Sequence, residues 1–101
     1  MSHLILINFK TYKEATGNKA LEIAKSLAKI KNSKYTIAVA PSLLTIKEVA
    51  QKTSLTVFSQ HTDNINLGPH TGRIPADELK EIGVNGTILN HSERKIPMKY
   101  L

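Results

Sequence analysis

The stretch Leu89-Asn90-His91-Ser92-Glu93-Arg94 closes a short apolar run, Gly86-Thr87-Ile88-Leu89. It answers Asn8-Phe9-Lys10, which closes an earlier run, Leu4-Ile5-Leu6-Ile7. Both runs read as strands separated by about three βα units, and in a parallel sheet strand ends open on one edge, where α/β folds keep their ligand sites. An imidazole, a lysine and an amide distant in sequence are therefore expected to share one site.

Leu4 to Ile7 is continuous and rich in branched residues, which suits a strand covered on both faces. From about Asn18 to Lys31, Ala20, Ile23, Ala24, Leu27 and Ile30 recur at three- and four-residue steps opposite Lys19, Glu22, Lys25 and Lys29. That spacing predicts an amphipathic helix with one buried stripe. Tyr35 to Ala40 reads as a second strand, stopped by Pro41, which lacks an N–H and has a fixed φ.

Thr45-Ile46-Lys47-Glu48 offers a capping box, with the Thr hydroxyl and Glu carboxylate satisfying free N–H groups of a helix that runs to about Lys52. Thr56 to Ser59 is a third strand. The polar segment from Gln60 to Arg73 is the longest loop, and ordered loops of that length are often functional. Pro75 and Gly83 bracket a third helix through Glu78, Leu79 and Ile82, and Gly86 to Leu89 is the fourth strand. This alternation predicts βαβ units on a parallel sheet in one structural unit, residues 1–101, which stops as a fourth helix begins after Pro97.

With 101 residues the chain can bury a modest core. Its net charge of +6 raises the possibility of nucleic-acid binding. The distribution argues against it: Lys19, Lys25, Lys29, Lys31 and Lys34 lie on or just beyond the polar side of the first helix, with no interleaved aromatic residues for base stacking. The sequence contains no cysteine, which excludes thiol nucleophiles, disulfides and thiolate metal sites. The absence of a secretory signal or a transmembrane run fits a cytoplasmic enzyme, and no membrane partner is expected.

Asn8-Phe9-Lys10, Gln60-His61-x-Asp63, His70-Thr71-Gly72 and Asn90-His91-Ser92-Glu93 together resemble archaeal-type triosephosphate isomerase, collinearly from Leu4 to Arg94. The resemblance implies a TIM (β/α)₈ barrel of α/β class. A complete barrel takes about 200 residues at the least, so the chain is expected to hold the first four βα units, a half-barrel of parallel strands.

The implied function is the interconversion of glyceraldehyde 3-phosphate and dihydroxyacetone phosphate, in glycolysis and gluconeogenesis. That reaction removes a proton next to a carbonyl, and the family performs it with a carboxylate base, a neutral histidine electrophile and a phosphate anchor. By resemblance His91 is the catalytic histidine, and Ser92-Glu93-Arg94 is expected to open a short helix behind it. Lys10 is the active-site lysine, both catalytic and substrate-binding, and Asn8 binds substrate beside it.

In supporting roles, Glu93 pairs with Lys10 in the empty site, Gln60 lies close by, and Ser92 follows the histidine. Thr71 sits on a loop that in the family reaches a neighbouring subunit. No cofactor is implied. His61, Asp63 and His70 match no strong zinc signature, so no metal is expected.

The family's base glutamate follows its sixth strand, and its phosphate-gripping loop and glycine-rich phosphate sites come later still. The isolated chain is therefore expected to be inactive and to associate as a homo-oligomer or with a complementary C-terminal half. The alternative is a non-catalytic half-barrel that serves as an association module. Another phosphate-binding barrel enzyme, such as a sugar-phosphate isomerase or aldolase, fits the combined motifs less well, and a nucleic-acid-binding domain fits least.

Overall fold

A computed structural model describes residues 3–32 and 34–101. Strands β1 (His3–Asn8), β2 (Tyr35–Ala40), β3 (Thr56–Ser59) and β4 (Gly86–Thr87) form a single sheet in the order β1-β2-β3-β4. All three pairings are parallel: β1 and β2 align from His3 opposite Tyr35 to Asn8 opposite Ala40, Val39 faces Val57, and Ser59 faces Thr87. Helices α1 (Gly17–Ala28), α2 (Leu43–Lys52) and α3 (Ala76–Glu81) fill the connections. Because the registers are nearly in step, all four strand ends open on the same side. This is the order expected of the first βα units of a TIM barrel, in a sheet that is not closed.

The core gathers Phe9, Ala20, Leu21, Ala24, Val39, Ile46, Val49, Val57, Leu79 and Val84. The C-terminal half of β2 is sealed on both faces, with Ala38, Val39 and Ala40 all buried. β1 departs from the expectation of two covered faces. It pairs only with β2, and Leu4 and Ile5 remain 53% and 43% exposed.

In α1 the buried stripe is Ala20, Leu21 and Ala24, flanked by half-buried Leu27. Ile23 and Ile30, expected inside, are 37% and 54% exposed. Apolar residues border Ala20 and Ala24 on both sides. The flank that joins Ile46 and Val49 of α2 in the core carries Leu21. The helix lysines Lys19 and Lys25 are exposed, as are Lys29, Lys31 and Lys34 beyond it.

Helix α2 begins a turn earlier than the capping box implied, with Ser42 at the N-cap. Thr45 is buried inside the first turn. Its Oγ1 lies 3.1 Å from Ser42 Oγ and accepts the Gly17 N–H at 3.2 Å, so it caps the neighbouring helix α1 in place of its own. Glu48 pairs with Lys52 at 3.3 Å across one turn.

Helix α3 starts after Pro75, which occupies its N-cap. It ends in a Schellman motif: the Gly83 N–H reaches the Lys80 carbonyl at 3.1 Å and the Val84 N–H the Leu79 carbonyl at 3.0 Å. Gly83 has φ +96°, a conformation that side chains disfavour. β4 spans two residues where four were expected, although the Ile88 N–H still bonds the Ser59 carbonyl at 2.8 Å. β3 itself ends at Ser59, so the ladder has no further partner. After Pro97 the chain makes a 3₁₀ turn, Met98–Tyr100.

Candidate active site

A cleft of about 500 Å³ opens at the strand ends, and its lining includes Asn8, Lys10, Gln60, His61, His91 and Glu93. Topology brings them together: Asn8 ends β1, Lys10 lies two residues beyond it, Gln60 follows β3, and His91 lies past β4. Lys10 Nζ donates to Glu93 Oε2 at 3.2 Å, the charge pair expected from the sequence. Hydrogen bonding by the Glu93 carboxylate, then its charge, holds the Lys10 ammonium above its ordinary value of 10.5. Lys10 Nζ also lies 5.7 Å from the centre of the Tyr12 ring, a cation–π contact.

The backbone at Lys10 is unusual, with φ +51° in a residue that is not glycine. Two side chains brace it. Asn8 Oδ1 accepts the Lys10 N–H at 2.9 Å, and Gln60 Nε2 donates to the Lys10 carbonyl at 2.7 Å and to the Ala40 carbonyl at 2.9 Å. A single amide thus ties together the chain beyond β1, the end of β2 and its own strand end. Left-handed residues held this way cluster at functional sites.

His91 is reached through a second left-handed residue, Asn90 at φ +58°, whose Oδ1 accepts the Ile96 N–H at 2.8 Å. The short helix expected from Ser92-Glu93-Arg94 does not form. A turn stands there, closed by the Arg94 N–H on the His91 carbonyl at 2.7 Å. The Glu93 N–H donates to His91 Nδ1 at 3.0 Å. In that geometry Nδ1 is an acceptor and the ring proton sits on Nε2. A hydrogen bond within the turn, and no helix N-terminus, therefore sets the tautomer. Glu93 Oε1, at 3.6 Å from the same nitrogen, is too far for a hydrogen bond and would need a proton there.

Ser92 and Thr71 are exposed and lie outside this cleft. His61, Asp63 and His70 do not assemble. His61 Nε2 bonds Asp63 Oδ1 at 2.9 Å while His70 is exposed, and no cluster of three metal-ligating side chains occurs among the described residues. Tyr12 and Arg94, to which the sequence assigns no role in the site, also line the cleft. Their closeness in sequence, Tyr12 two residues after Lys10 and Arg94 next to Glu93, is the signal that could have found them.

A family model for triosephosphate isomerase matches residues 3–99. The chain belongs to the triosephosphate isomerase family. It is 46% identical over 94 residues to a triosephosphate isomerase of Methanocaldococcus jannaschii, an alignment covering 92% of this chain and 43% of that protein. The relative from Methanosarcina mazei is 45% identical over 98 residues (96% and 44%), and that from Archaeoglobus fulgidus 40% over 97 residues (94% and 43%). The chain spans less than half the length of the curated relatives it matches. Among the described residues, no helix is long and apolar enough to cross a membrane.

Proposed function

We propose that the chain supplies the electrophile and lysine half of a triosephosphate-isomerising site, acting on triose phosphates in the cytoplasm. The observation that carries this reading is the meeting of Lys10 with Glu93 at 3.2 Å, across 83 residues of chain, in a cleft also lined by His91. The Lys10 ammonium attracts the substrate phosphate and the negative charge that develops on the enediolate. His91, with its proton on Nε2, donates to a substrate oxygen, and Asn8 positions substrate beside it. Glu93 holds the ammonium in place, Gln60 holds the Lys10 backbone, and Ser92 completes the turn behind the histidine.

No residue of this chain is assigned the role of base, and without one, proton abstraction from carbon is the step that fails. We therefore expect no turnover of glyceraldehyde 3-phosphate by the purified 101-residue protein in a coupled assay. Adding the C-terminal part of the M. jannaschii relative is the direct test. Activity should appear and should be lost with His91→Gln or Lys10→Met. Full activity in either variant would show the site to be wrongly assigned.

The second reading, an association module, is favoured by the open sheet. β1 and β4 each pair on one side only, and Leu4 and Ile5 lie exposed on the edge strand. Such edges attract further strands, from a second copy or from a complementary half. The exposed loop at Thr71 offers a second contact surface.

A further inference from the structure

The motif Gln60-His61-x-Asp63 is only partly used by the proposed chemistry, and the side chain of its last member meets three partners, His61, Arg73 and Ile74. The Asp63 side chain is 11% exposed. Its Oδ1 accepts from His61 Nε2 at 2.9 Å, with Arg73 Nη1 at 3.6 Å, and its Oδ2 accepts the Ile74 N–H at 2.7 Å. The backbone repeats the closure: the Asp63 N–H bonds the Ile74 carbonyl at 2.8 Å, and Thr62 Oγ1 donates to the same carbonyl at 3.0 Å. Beyond this point the loop is on its own. Among the described residues, the hydrogen bonds of residues 64–73 stay within the loop: Ile65 to Asp63, His70 to Gly68 and Arg73 to His70.

His61 is 7% exposed, and its Nδ1 is buried without a partner among the described residues. An apolar ring would fill the same space without an orphaned nitrogen. What an apolar ring cannot do is donate to Asp63. His61 is also bonded in sequence to Gln60, whose amide braces the carbonyls of Lys10 and Ala40.

We propose that Asp63 is a positioning residue: it clasps the base of the 60–75 loop, presenting the Thr71 tip in one preformed shape, and through His61 and Gln60 it holds the Lys10 backbone in place. The second half of this statement rests on Lys10 being a site residue. The test below uses no turnover, so its failure is distinguishable from failure of the isomerase reading.

Amide hydrogen exchange followed by NMR on the 101-residue chain provides the test. In Asp63→Ala the Ile74 amide should exchange at least tenfold faster, and the Gln60 side-chain amide should also speed up. The Ile37 and Val39 amides of β2 should change less than twofold. In Asp63→Asn, of the same size but with one acceptor oxygen where Asp63 uses two, the Ile74 amide should exchange about threefold faster. An Ile74 rate within twofold of the parent overturns the clasp. A faster Ile74 with an unchanged Gln60 amide overturns the link to Lys10. Loss of β2 protection in Asp63→Asn also overturns the proposal, since the sheet, and not the loop, would then depend on this residue.

Discussion

Gln60 donates its side-chain amide to the backbone carbonyl of Lys10 at 2.7 Å, across fifty residues of sequence. The same nitrogen reaches Ala40 at 2.9 Å, so one half-buried amide, together with Asn8, holds a lysine in the left-handed region. Truncation leaves both carbonyls without that donor. Gln60→Ala should therefore cost roughly 2 kcal/mol, two hydrogen bonds at about 1 kcal/mol each. Urea denaturation reads this as a lowered midpoint at unchanged slope.

Glu93→Gln removes the carboxylate that raises the Lys10 ammonium, so the lysine should titrate closer to its ordinary 10.5. Because the folded value lies above the free one, the pair contributes fully below about pH 10.5 and fades as pH rises through the folded value. An NMR titration of the Lys10 side chain in parent and variant checks both sign and cause. An unshifted lysine would remove Glu93 as its partner.

Asp63 titrates in the opposite direction. Burial by itself would raise its carboxyl, but the hydrogen bonds from His61 and the Ile74 N–H, with the charges of His61 and Arg73, outweigh burial and hold it below 3.8. Asp63 also borders a cleft lined by His70, Arg73, Arg94, Lys95 and Lys99. A depressed folded value means that the contribution is complete above 3.8 and is lost as pH falls through the folded value. Acid unfolding of Asp63→Asn should lack the part of the pH dependence that the parent shows there. Superimposable acid limbs would contradict this.

Gly86 sits against an aromatic ring. A Cβ there would lie 2.9 Å from Phe58 Cζ and 3.0 Å from its Cε2. Gly86→Val should destabilise by about 1 to 3 kcal/mol through overpacking, and combining it with Phe58→Leu should recover part of the loss. Thermal melts of the two single variants and the double variant decide it.

The open edges predict association. Sedimentation across a micromolar dilution series should show species heavier than a monomer, and Ile5→Lys, which places a charge on the β1 edge, should shift the distribution toward monomer. A compact monomer at every concentration would contradict this.

Local pattern alone located β2 at Tyr35–Ala40 and β3 at Thr56–Ser59, because a run of branched apolar residues ended by proline or polar residues has few other conformations. The pairing of Lys10 with Glu93 was implied by the family resemblance that the motifs around them carry, not by local pattern. Tertiary structure decided the rest. Thr45 had the right chemistry for an N-cap, but the helix began at Leu43, which left its hydroxyl beside the Gly17 N–H of another helix. Leu21, and not Ile23, entered the core because both flanks of α1 were apolar and only packing against a neighbour distinguishes them. Leu4 and Ile5 read as a buried strand, yet burial depends on what covers the sheet: successive side chains point to opposite faces, and near the start of β1 both remain open. The bonds that join Gln60 to Lys10 and Ala40, and Asp63 to Ile74, were illegible for the same reason, since hydrogen-bond partners 11 to 50 residues away are chosen by the fold and leave no periodic trace in the chain.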